Sequence, residues 1–296
     1  MQKYCIIESA SNLGLKETKP GKEPGVKQLP EWLKRYGFYK TVAPKEVTTV
    51  IPPPYSMYFD EDSGVRNADA IALYSMRLSS EIQKTIHKGY FPLVIGGDCS
   101  ILIGCALGLK LKGKYGLFFI DGHTDFVLPH TSLTKGAAGM DLAIVTGNGH
   151  NKLTSICNHG PYFEEKNVLA FGNRYLKKDY VNTIRNTSIS YYDLDGLRRK
   201  GIEKIAEEFL DTMRNEQLNG FWIHLDVDVL DDEMMPCVDS RQPGGLSYYE
   251  LNLILNLLLS SGLAIGMNIT ILDPGLDEDG VYTKRFVQEL SSIFSK

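Results

Sequence analysis

The sequence predicts an α/β protein, a three-layer α/β/α sandwich built on a mostly parallel sheet of about eight strands. Short runs rich in Val, Ile, Leu, Phe and Tyr alternate with longer segments of helical spacing, a pattern typical of a parallel sheet covered on both faces. No internal repeat and no Gly/Ser-rich linker divides the chain, so we expect a single domain over residues 1–296.

The predicted strands are short apolar runs that begin near Tyr4, Glu46, Phe91, Gly116, Asn167, Ser188, Phe221 and Ala264. The predicted helices have apolar residues at helical spacing and span Leu29–Tyr36, Ala68–Lys88, Ser100–Leu111, Ile202–Asn215, Tyr248–Leu259 and Lys284–Phe294. Two irregular segments, Lys19–Val26 and Asp125–Asn151, are long enough to suggest functional loops. Ligands of an open parallel sheet bind beyond the carboxyl ends of its strands, so polar clusters are expected there.

The composition limits the partners and the location. A formal net charge of -4, from 32 basic and 36 acidic residues, provides no field that would gather nucleic acid or an anionic membrane. We therefore expect a small-molecule substrate and, as protein partner, other copies of the chain. The five cysteines contain no Cys-x-x-Cys pair, and the N-terminal residues lack the pattern of a secretion signal, which together indicate the cytoplasm. The most apolar region, Leu251–Leu272, is interrupted by polar residues and by Gly262, and is expected to be core.

Three predicted strands run directly from apolar residues into charged or metal-ligand side chains, in the segments Leu93–Ser100, Leu117–Asp125 and Trp222–Asp232. Side chains two residues apart share a face of an extended strand, so Asp121, His123 and Asp125 are expected to converge. Asp226 and Asp228 are expected to do the same. Either motif alone is common in solvated turns, but both motifs together, with a Gly-Gly-Asp turn after a third strand, favour a functional site.

Carboxylates crowded at the rim of an apolar sheet repel one another and lose hydration, and divalent cations remove that penalty. An oxygen-rich site with an imidazole suits Mn²⁺ and, less strictly, Mg²⁺, Fe²⁺ or Zn²⁺. Two ions fit better than one, because Asp121 and Asp226 can each bridge a pair while His123, Asp125 and Asp228 complete the shells. A pair of ions ~3.5–4 Å apart would share a water molecule and lower its pKa.

At these residues the chain resembles the arginase/agmatinase/formimidoylglutamase family of ureohydrolases, and the resemblance covers nearly its whole length. The family patterns Gly-Gly-Asp-His-Ser, Asp-Ala-His-x-Asp and Ser-x-Asp-x-Asp-x-Leu-Asp-Pro correspond here to Gly96–Ser100, Asp121–Asp125 and His224–Asp232. Weaker matches are Pro24–Val26 with Leu29-Pro30, which resembles the opening loop, and Pro243–Ser247, which resembles a Gly-Gly-Leu-Thr segment. The resemblance implies an arginase-like fold.

The resemblance also implies a centre of two Mn²⁺ ions per chain. Asp121 and Asp226 would bridge the two ions, and His123 with Asp228 would complete one shell. Asp125 and Cys99 would lie at the other ion. The family attacks an amidine or guanidine carbon with hydroxide and releases urea, or a related amide, plus an amine. Its members form trimers and hexamers, so the resemblance implies a homo-oligomer.

Several positions depart from the family pattern. Cys99 stands where the family has a metal-ligating histidine. As a thiolate, Cys99 would bind the metal ion and would favour Zn²⁺ or Fe²⁺. As a thiol it is a small buried apolar residue, and the metal position that it shares with Asp125 would be weak or empty. Val127 and Ala138-Gly139 replace an Asn and the His-Gly pair that shuttles protons, and Ile271 replaces the Glu that grips the guanidinium. We therefore do not expect arginine itself to be the substrate.

Two residues are candidate replacements for the missing groups. Asp273 lies two residues from Ile271 and shares its face if the strand continues, so its carboxylate would meet a cationic nitrogen. His130, in the loop beyond Asp125, is a candidate proton shuttle, although an exposed loop histidine is its more common interpretation. The predicted catalytic residues are thus Asp125, His130 and Asp273. His224, one step deeper in its strand, is expected to be structural.

Three functions remain open at this point. The first is an active hydrolase that cleaves a C–N bond in a small linear amidine or guanidino compound. The second is a catalytically impaired family member that acts as a metal-binding or ligand-binding regulatory protein, which the replaced shuttle and Ile271 favour. The third is a single-Zn²⁺ hydrolase of an amide, which metal analysis would distinguish from the first.

Overall fold

The computed structural model describes residues 2–294, and the strands within that range are short. In chain order they are β1 (Tyr4–Glu8), β2 (Glu46–Thr49), β3 (Phe59–Asp60), β4 (Val65–Arg66), β5 (Phe91–Ile95), β6 (Gly116–Ile120), β7 (Val168–Phe171), β8 (Ser190–Tyr192), β9 (Phe221–Asp226) and β10 (Ala264–Thr270). All eight predicted strands are present, and the structure adds the two-residue antiparallel pair of β3 with β4.

The helices between the strands vary more in length. They are α1 (Leu29–Arg35), α2 (Phe38–Val42), α3 (Ala68–His87), α4 (Ile101–Lys110), α5 (Asp141–Val145), α6 (Asn151–Thr154), α7 (Lys178–Arg185), α8 (Leu194–Lys200), α9 (Ile202–Asn215), α10 (Tyr248–Ser260) and α11 (Val281–Phe294). The six predicted helices are all present within three residues of their predicted bounds. Helices α2, α5, α6, α7 and α8 were not predicted, because segments of four to eight residues carry too little periodicity to identify. Within the described residues, no helix has the length and apolarity needed to cross a membrane.

One eight-stranded parallel sheet forms the centre of the molecule, in the order β2-β1-β5-β10-β9-β6-β7-β8. Successive strand residues point to opposite faces: Ile6 of β1 packs into one apolar cluster, with α1, α9, α10 and α11, while Ile7 packs into the other, with α3 and α4. The protein is therefore the predicted three-layer α/β/α sandwich.

Local sequence explains how the layers close on the sheet. Helix α4 is buried along its length, and Gly104 and Gly108 form the side that packs on α3. A Cβ at either glycine would lie 3.0 Å from Leu78 or Ile82, so a larger residue would require α3 to shift by a few tenths of an ångström, and glycine favours this close approach. Helix α10 begins at a capping box in which Ser247 accepts a hydrogen bond from the backbone of Glu250.

The sheet order brings the sequence motifs together. The four adjacent central strands are β5, β10, β9 and β6. At their carboxyl ends lie, in the same order, the Gly-Gly-Asp turn, Ile271, the Asp-x-Asp pair and the Asp-x-His-x-Asp motif. Strand β9 is buried from Phe221 to Asp226, so its polar residues lie inside the protein. The site predicted from sequence is thus assembled by four neighbouring strands.

Candidate metal centre

The turn after β5 positions Cys99. Gly97 adopts a left-handed φ of 81°, and a Cβ there would lie 2.6 Å from the carbonyl oxygen of Ser11. The buried carboxylate of Asp98 holds the turn by accepting hydrogen bonds from the backbone of Gly14 (3.1 Å) and Ser100 (2.9 Å). The Cys99 thiol then donates to Asp226 Oδ2 at 2.8 Å, so the structure places Cys99 among the carboxylates.

Each central carboxylate has one oxygen held by a backbone N–H. Asp121 Oδ1 accepts from His123 (2.6 Å), and Asp226 Oδ1 accepts from Asp228 (2.8 Å). Asp228 Oδ1 accepts from Gly122 (3.0 Å), and its Oδ2 lies 2.8 Å from His123 Nδ1. The backbone therefore fixes the orientation of all three carboxylates, while the second oxygen of Asp226 contacts Cys99, that of Asp228 contacts His123, and that of Asp121 has no hydrogen-bond partner.

Tight turns, rather than strand alternation, produce this convergence. Strand β6 ends at Ile120, and β9 ends at Asp226, after which Val227–Val229 forms a 3-10 turn. Asp125 has a left-handed φ of 39°. The expectation that an extended backbone would align these side chains is wrong, although the central carboxylates do meet.

Two groups of ligand-type side chains overlap at Asp121. In one group, atoms of Cys99, Asp121, His224 and Asp226 all lie within 4.8 Å of one another, and in the other those of Asp121, His123 and Asp228 do. Asp125 belongs to neither group of atoms, but it lines the same cavity. The structure thus brings together Cys99 and four of the five predicted oxygen or nitrogen ligands, with Asp125 beside them.

Charge repulsion dominates the electrostatics of the cluster. Burial, and then the neighbouring carboxylates, raise the pKa values of Asp121 and Asp226 well above the ordinary value. Burial, and then the charge of Asp226, raise the pKa of the Cys99 thiol well above its ordinary value. Burial lowers the pKa of His123, but the charge and hydrogen bond of Asp228 outweigh it and raise that pKa to about 9. The cluster lacks positive charge, and a protonated His123 supplies only part of it.

An open cavity of about 600 Å³ leads to this cluster. Asp125, Tyr175, Tyr180, Asp239 and Ile271 line it, together with four of the ligand-type residues: Cys99, His123, Asp226 and Asp228. Asp239 keeps part of its side chain open to solvent, and loss of hydration followed by the charge of Asp228 raises its pKa to about 6. The cavity is therefore acidic, with aromatic and aliphatic walls.

Two predicted catalytic residues do not reach this cavity. His130 is exposed and lines a separate depression with Pro129 and His150, so it is not positioned to move a proton at the cluster. The carboxylate of Asp273 accepts hydrogen bonds from the backbone of Gly25 (3.0 Å) and Gly275 (2.7 Å), so it ties the opening loop to the end of the sheet.

Asp273 does not reach the cavity because of the backbone conformation of Ile271. Its φ of 76° is left-handed, which is rare for a β-branched residue, and it ends the alternation on which the expectation for Asp273 depended. Ile271 itself lines the cavity.

Sequence reasoning missed three residues. Asp141 is fully buried and both of its carboxylate oxygens lack a hydrogen-bond partner. His224, expected to be structural, is equally buried and belongs to one of the two ligand groups. Asp239 was not considered, since nothing in its neighbourhood marks it. An acidic residue within the apolar run Met140–Val145 was an available signal for Asp141.

The fold and this cluster define an α/β/α sandwich protein with a candidate metal centre at the carboxyl edge of its parallel sheet. A family model described as "Arginase family" matches residues 11–293. The arginase of Bacillus caldovelox is 31% identical over 236 residues, 79% of each chain, and that of Staphylococcus aureus (strain COL) is 29% identical over 240 residues, 81% of this chain and 79% of its own. The crystal structure of the B. caldovelox enzyme superposes with a TM-score of 0.87 at 26% identity, covering 100% of this chain and 99% of that one. The chain belongs to the arginase family.

Proposed function

We propose that the protein hydrolyses a C–N bond in a small linear amidine or guanidino compound with the help of bound divalent cations. The observation that carries this proposal is the pair of ligand groups that share Asp121 and whose other members Cys99, His123, Asp226 and Asp228 line an open cavity. Membership of a family of hydrolases supports the reaction class. Trimeric or hexameric assembly and a cytoplasmic location remain predictions.

The donor set fits divalent cations. Asp121 Oδ2 is buried without a hydrogen-bond partner, and an ionised oxygen in that position is stable only beside positive charge. Asp121 would be shared between two positions, one with His123 and Asp228 and one with Cys99 and Asp226. Oxygen and imidazole donors suit Mn²⁺, and the Cys99 sulfur favours Zn²⁺ or Fe²⁺ at its position. Bound cations would lower the pKa of a water molecule and make hydroxide available near neutral pH.

The chain's own residues favour a cationic substrate. Asp239, with a pKa of about 6, is mostly ionised at neutral pH. Burial and then neighbouring carboxylates raise the pKa of Asp125 in the metal-free protein, and Asp125 would add its negative charge to the cavity once cations are bound. A protonated amidine or guanidine would be attracted there and could donate hydrogen bonds to both carboxylates. Ile271 presents an aliphatic surface where the family has the Glu that grips the guanidinium, so in this chain Asp125 and Asp239 would hold the cationic group instead.

The experiment is a substrate panel. Full-length protein loaded with Mn²⁺ or Zn²⁺ is incubated with guanidino and formimino compounds, and released urea, amide and amine are measured. We expect turnover with a linear cationic compound, lost in Asp228→Asn and strongly reduced in Asp125→Ala, and retained in His130→Ala, whose side chain lies in a different depression. Absence of all three products from fully metal-loaded protein contradicts the proposal.

A second candidate is a regulatory protein that binds metal or a ligand without turnover. Ala138 and Gly139 line the cavity where the family has its proton-shuttling pair, and His130 does not replace them there. A metal-loaded protein that binds a guanidino compound, measured by calorimetry, yet releases no product supports this alternative.

A single-Zn²⁺ amide hydrolase is the third candidate, supported by the thiol of Cys99 at one position. One Zn²⁺ per chain, with release of amine from an amide, would favour it over the first proposal. Two ions per chain would exclude it.

A further inference from the structure

His224 is a buried histidine with one unused nitrogen. It lies in β9 with none of its surface exposed, and its ring stacks on Phe119 at a centroid distance of 4.5 Å. Nδ1 is 2.8 Å from the amide nitrogen of Asn268, whereas Nε2 has no hydrogen-bond partner. Buried polar atoms in proteins nearly always have a hydrogen-bond or metal partner, so Nε2 of His224 is expected to bind a partner that is not part of the chain.

Other unpartnered atoms lie around the same point. Nε2 of His224 is 3.9 Å from Asp141 Oδ2, and both oxygens of Asp141 and Oδ2 of Asp121 are buried without partners. Metal bonds to nitrogen and oxygen are ~2.0–2.2 Å long, so two donors on one ion are separated by roughly 3–4.4 Å. A water molecule would satisfy some of these atoms but would leave the carboxylate charges uncompensated.

We propose that His224 is a metal ligand, and that with Cys99, Asp121 and Asp226 it forms a buried four-donor cation site. The imidazole that is absent from the Gly-Gly-Asp-Cys-Ser turn after β5 is then supplied from β9, which is separated from β5 by β10 in the sheet. One sulfur, one nitrogen and two carboxylate donors suit a tetrahedral Zn²⁺ or Fe²⁺ better than Mn²⁺. This ligand set rests on the proposed metal dependence but not on any particular substrate.

A hydrogen-bond chain controls this ligand. Trp222 Nε1 donates to Asn268 Oδ1 at 2.7 Å, and because indole can only donate, the amide NH₂ of Asn268 must face His224. Nδ1 therefore accepts, and the neutral ring carries its proton on Nε2. A cation can bind Nε2 only when the neutral ring carries its one proton on Nδ1 instead of Nε2. Asn268 must then turn its oxygen toward Nδ1–H, at the expense of the Trp222 hydrogen bond. Asn268 thus opposes binding at this position and is predicted to weaken it.

Two substitutions remove that opposition. Asn268→Asp provides oxygens that accept from both Trp222 and His224, so Nε2 is free to bind. Trp222→Phe removes the donor that fixes the amide, which lets Asn268 turn without any change in charge. Both variants are expected to bind the cation at this site at least tenfold more tightly than the unmodified chain, and a purely structural His224 would give no such gain.

The test uses Co²⁺, whose absorption reports thiolate ligation, on metal-stripped full-length protein. The unmodified chain should bind two Co²⁺ with a thiolate charge-transfer band. His224→Asn should retain one tightly bound ion and lose the band, or bind the band-forming ion at least tenfold more weakly. His123→Asn is the matched control, and it should lose the other ion and keep the band.

Three results would overturn the proposal. They are no thiolate band in the unmodified chain, an unchanged band and affinity in folded His224→Asn, and unchanged or weaker binding in both Asn268→Asp and Trp222→Phe. If circular dichroism shows that His224→Asn does not fold, the cobalt affinities of Asn268→Asp and Trp222→Phe decide whether His224 is a ligand. A protein that gives these cobalt results but hydrolyses no substrate would contradict the proposed function alone.

Discussion

Replacing Gly122 with Ala restores the residue that the arginase family carries in its Asp-Ala-His-x-Asp motif, yet it is expected to destabilise this protein. A Cβ at position 122 would lie 2.3 Å from Nη1 of Arg174 and 2.8 Å from the carbonyl oxygen of Asp228. Both distances are well below van der Waals contact, so the guanidinium must move. In this chain the guanidinium of Arg174 occupies the space that the methyl group of an alanine at position 122 would need.

The expected loss follows from the contacts of Arg174. Its Nη2 donates to the carbonyl oxygens of Asp228 at 2.8 Å and of Gln242 at 3.1 Å. A hydrogen bond from a charged donor contributes about 1.5 kcal/mol at the low end, so losing both lowers the free energy of unfolding by about 3 kcal/mol. At roughly 2 °C per kcal/mol for a chain of this size, the melting temperature falls by about 6 °C.

Urea and thermal unfolding of metal-free protein measure this loss. Gly139→Ala is the matched control, because a Cβ there meets no atom within 4 Å, and it should leave stability unchanged or slightly raised. In an Arg174→Ala background, more than half of the cost of Gly122→Ala should disappear, since the main clash is gone. An unfolding midpoint of Gly122→Ala equal to that of the unmodified chain, or an undiminished loss without Arg174, would refute the reasoning.

Three further predictions concern titration and accessibility. Acidification should weaken metal binding by at least tenfold per pH unit in chelator competition. The reason is that His123, with a metal-free pKa of about 9, must lose a proton to bind, and the carboxyls of Asp121 and Asp226, whose pKa values are also raised, must be ionised. A pH-independent affinity would contradict this. A thiol reagent should rapidly label Cys157, which is exposed, but not the buried Cys99, so mass spectrometry should find one modified thiol in folded metal-free protein and five after unfolding. Asp60→Asn should lower the urea midpoint at neutral pH, because a hydrogen bond from Lys152 lowers the pKa of Asp60 to about 2. That stabilisation is present above the ordinary pKa of 3.8 and is lost as pH falls through about 2, so the midpoints should converge on acidification, and equal midpoints at neutral pH would contradict it.

The fold was predictable because its signals are local. Helix α9 occupies Ile202–Asn215, the range that its periodicity indicates, and β9 begins at the predicted Phe221. Helix α6 could not be predicted, since its single turn depends on a cap, the acceptance of a backbone hydrogen bond by His150, rather than on an apolar pattern. Short elements of this kind exist only in the context of the folded chain.

The site was predictable only in part, because strand register and the local direction of the backbone decide which side chains reach it. The acidic motifs were found because parallel strands bring their carboxyl ends to one edge. The environment of His224 was not, because it depends on the register that pairs it with Asn268 of β10, which the sequence does not reveal. Asp273 was misassigned because the left-handed Ile271 turns the chain before it.

The position of β10 has a consequence for synthesis of the protein on the ribosome. The last strand to emerge is inserted at the centre, between β5 and β9, so the nascent chain first carries two half-sheets with open edges. A chain released before Ala264 contains every candidate ligand, yet no strand joins the half-sheet whose turn holds Cys99 to the half-sheet that holds Asp226. Such a fragment would be prone to aggregate through its unpaired strands, and its acidic residues would never be brought together to capture an ion.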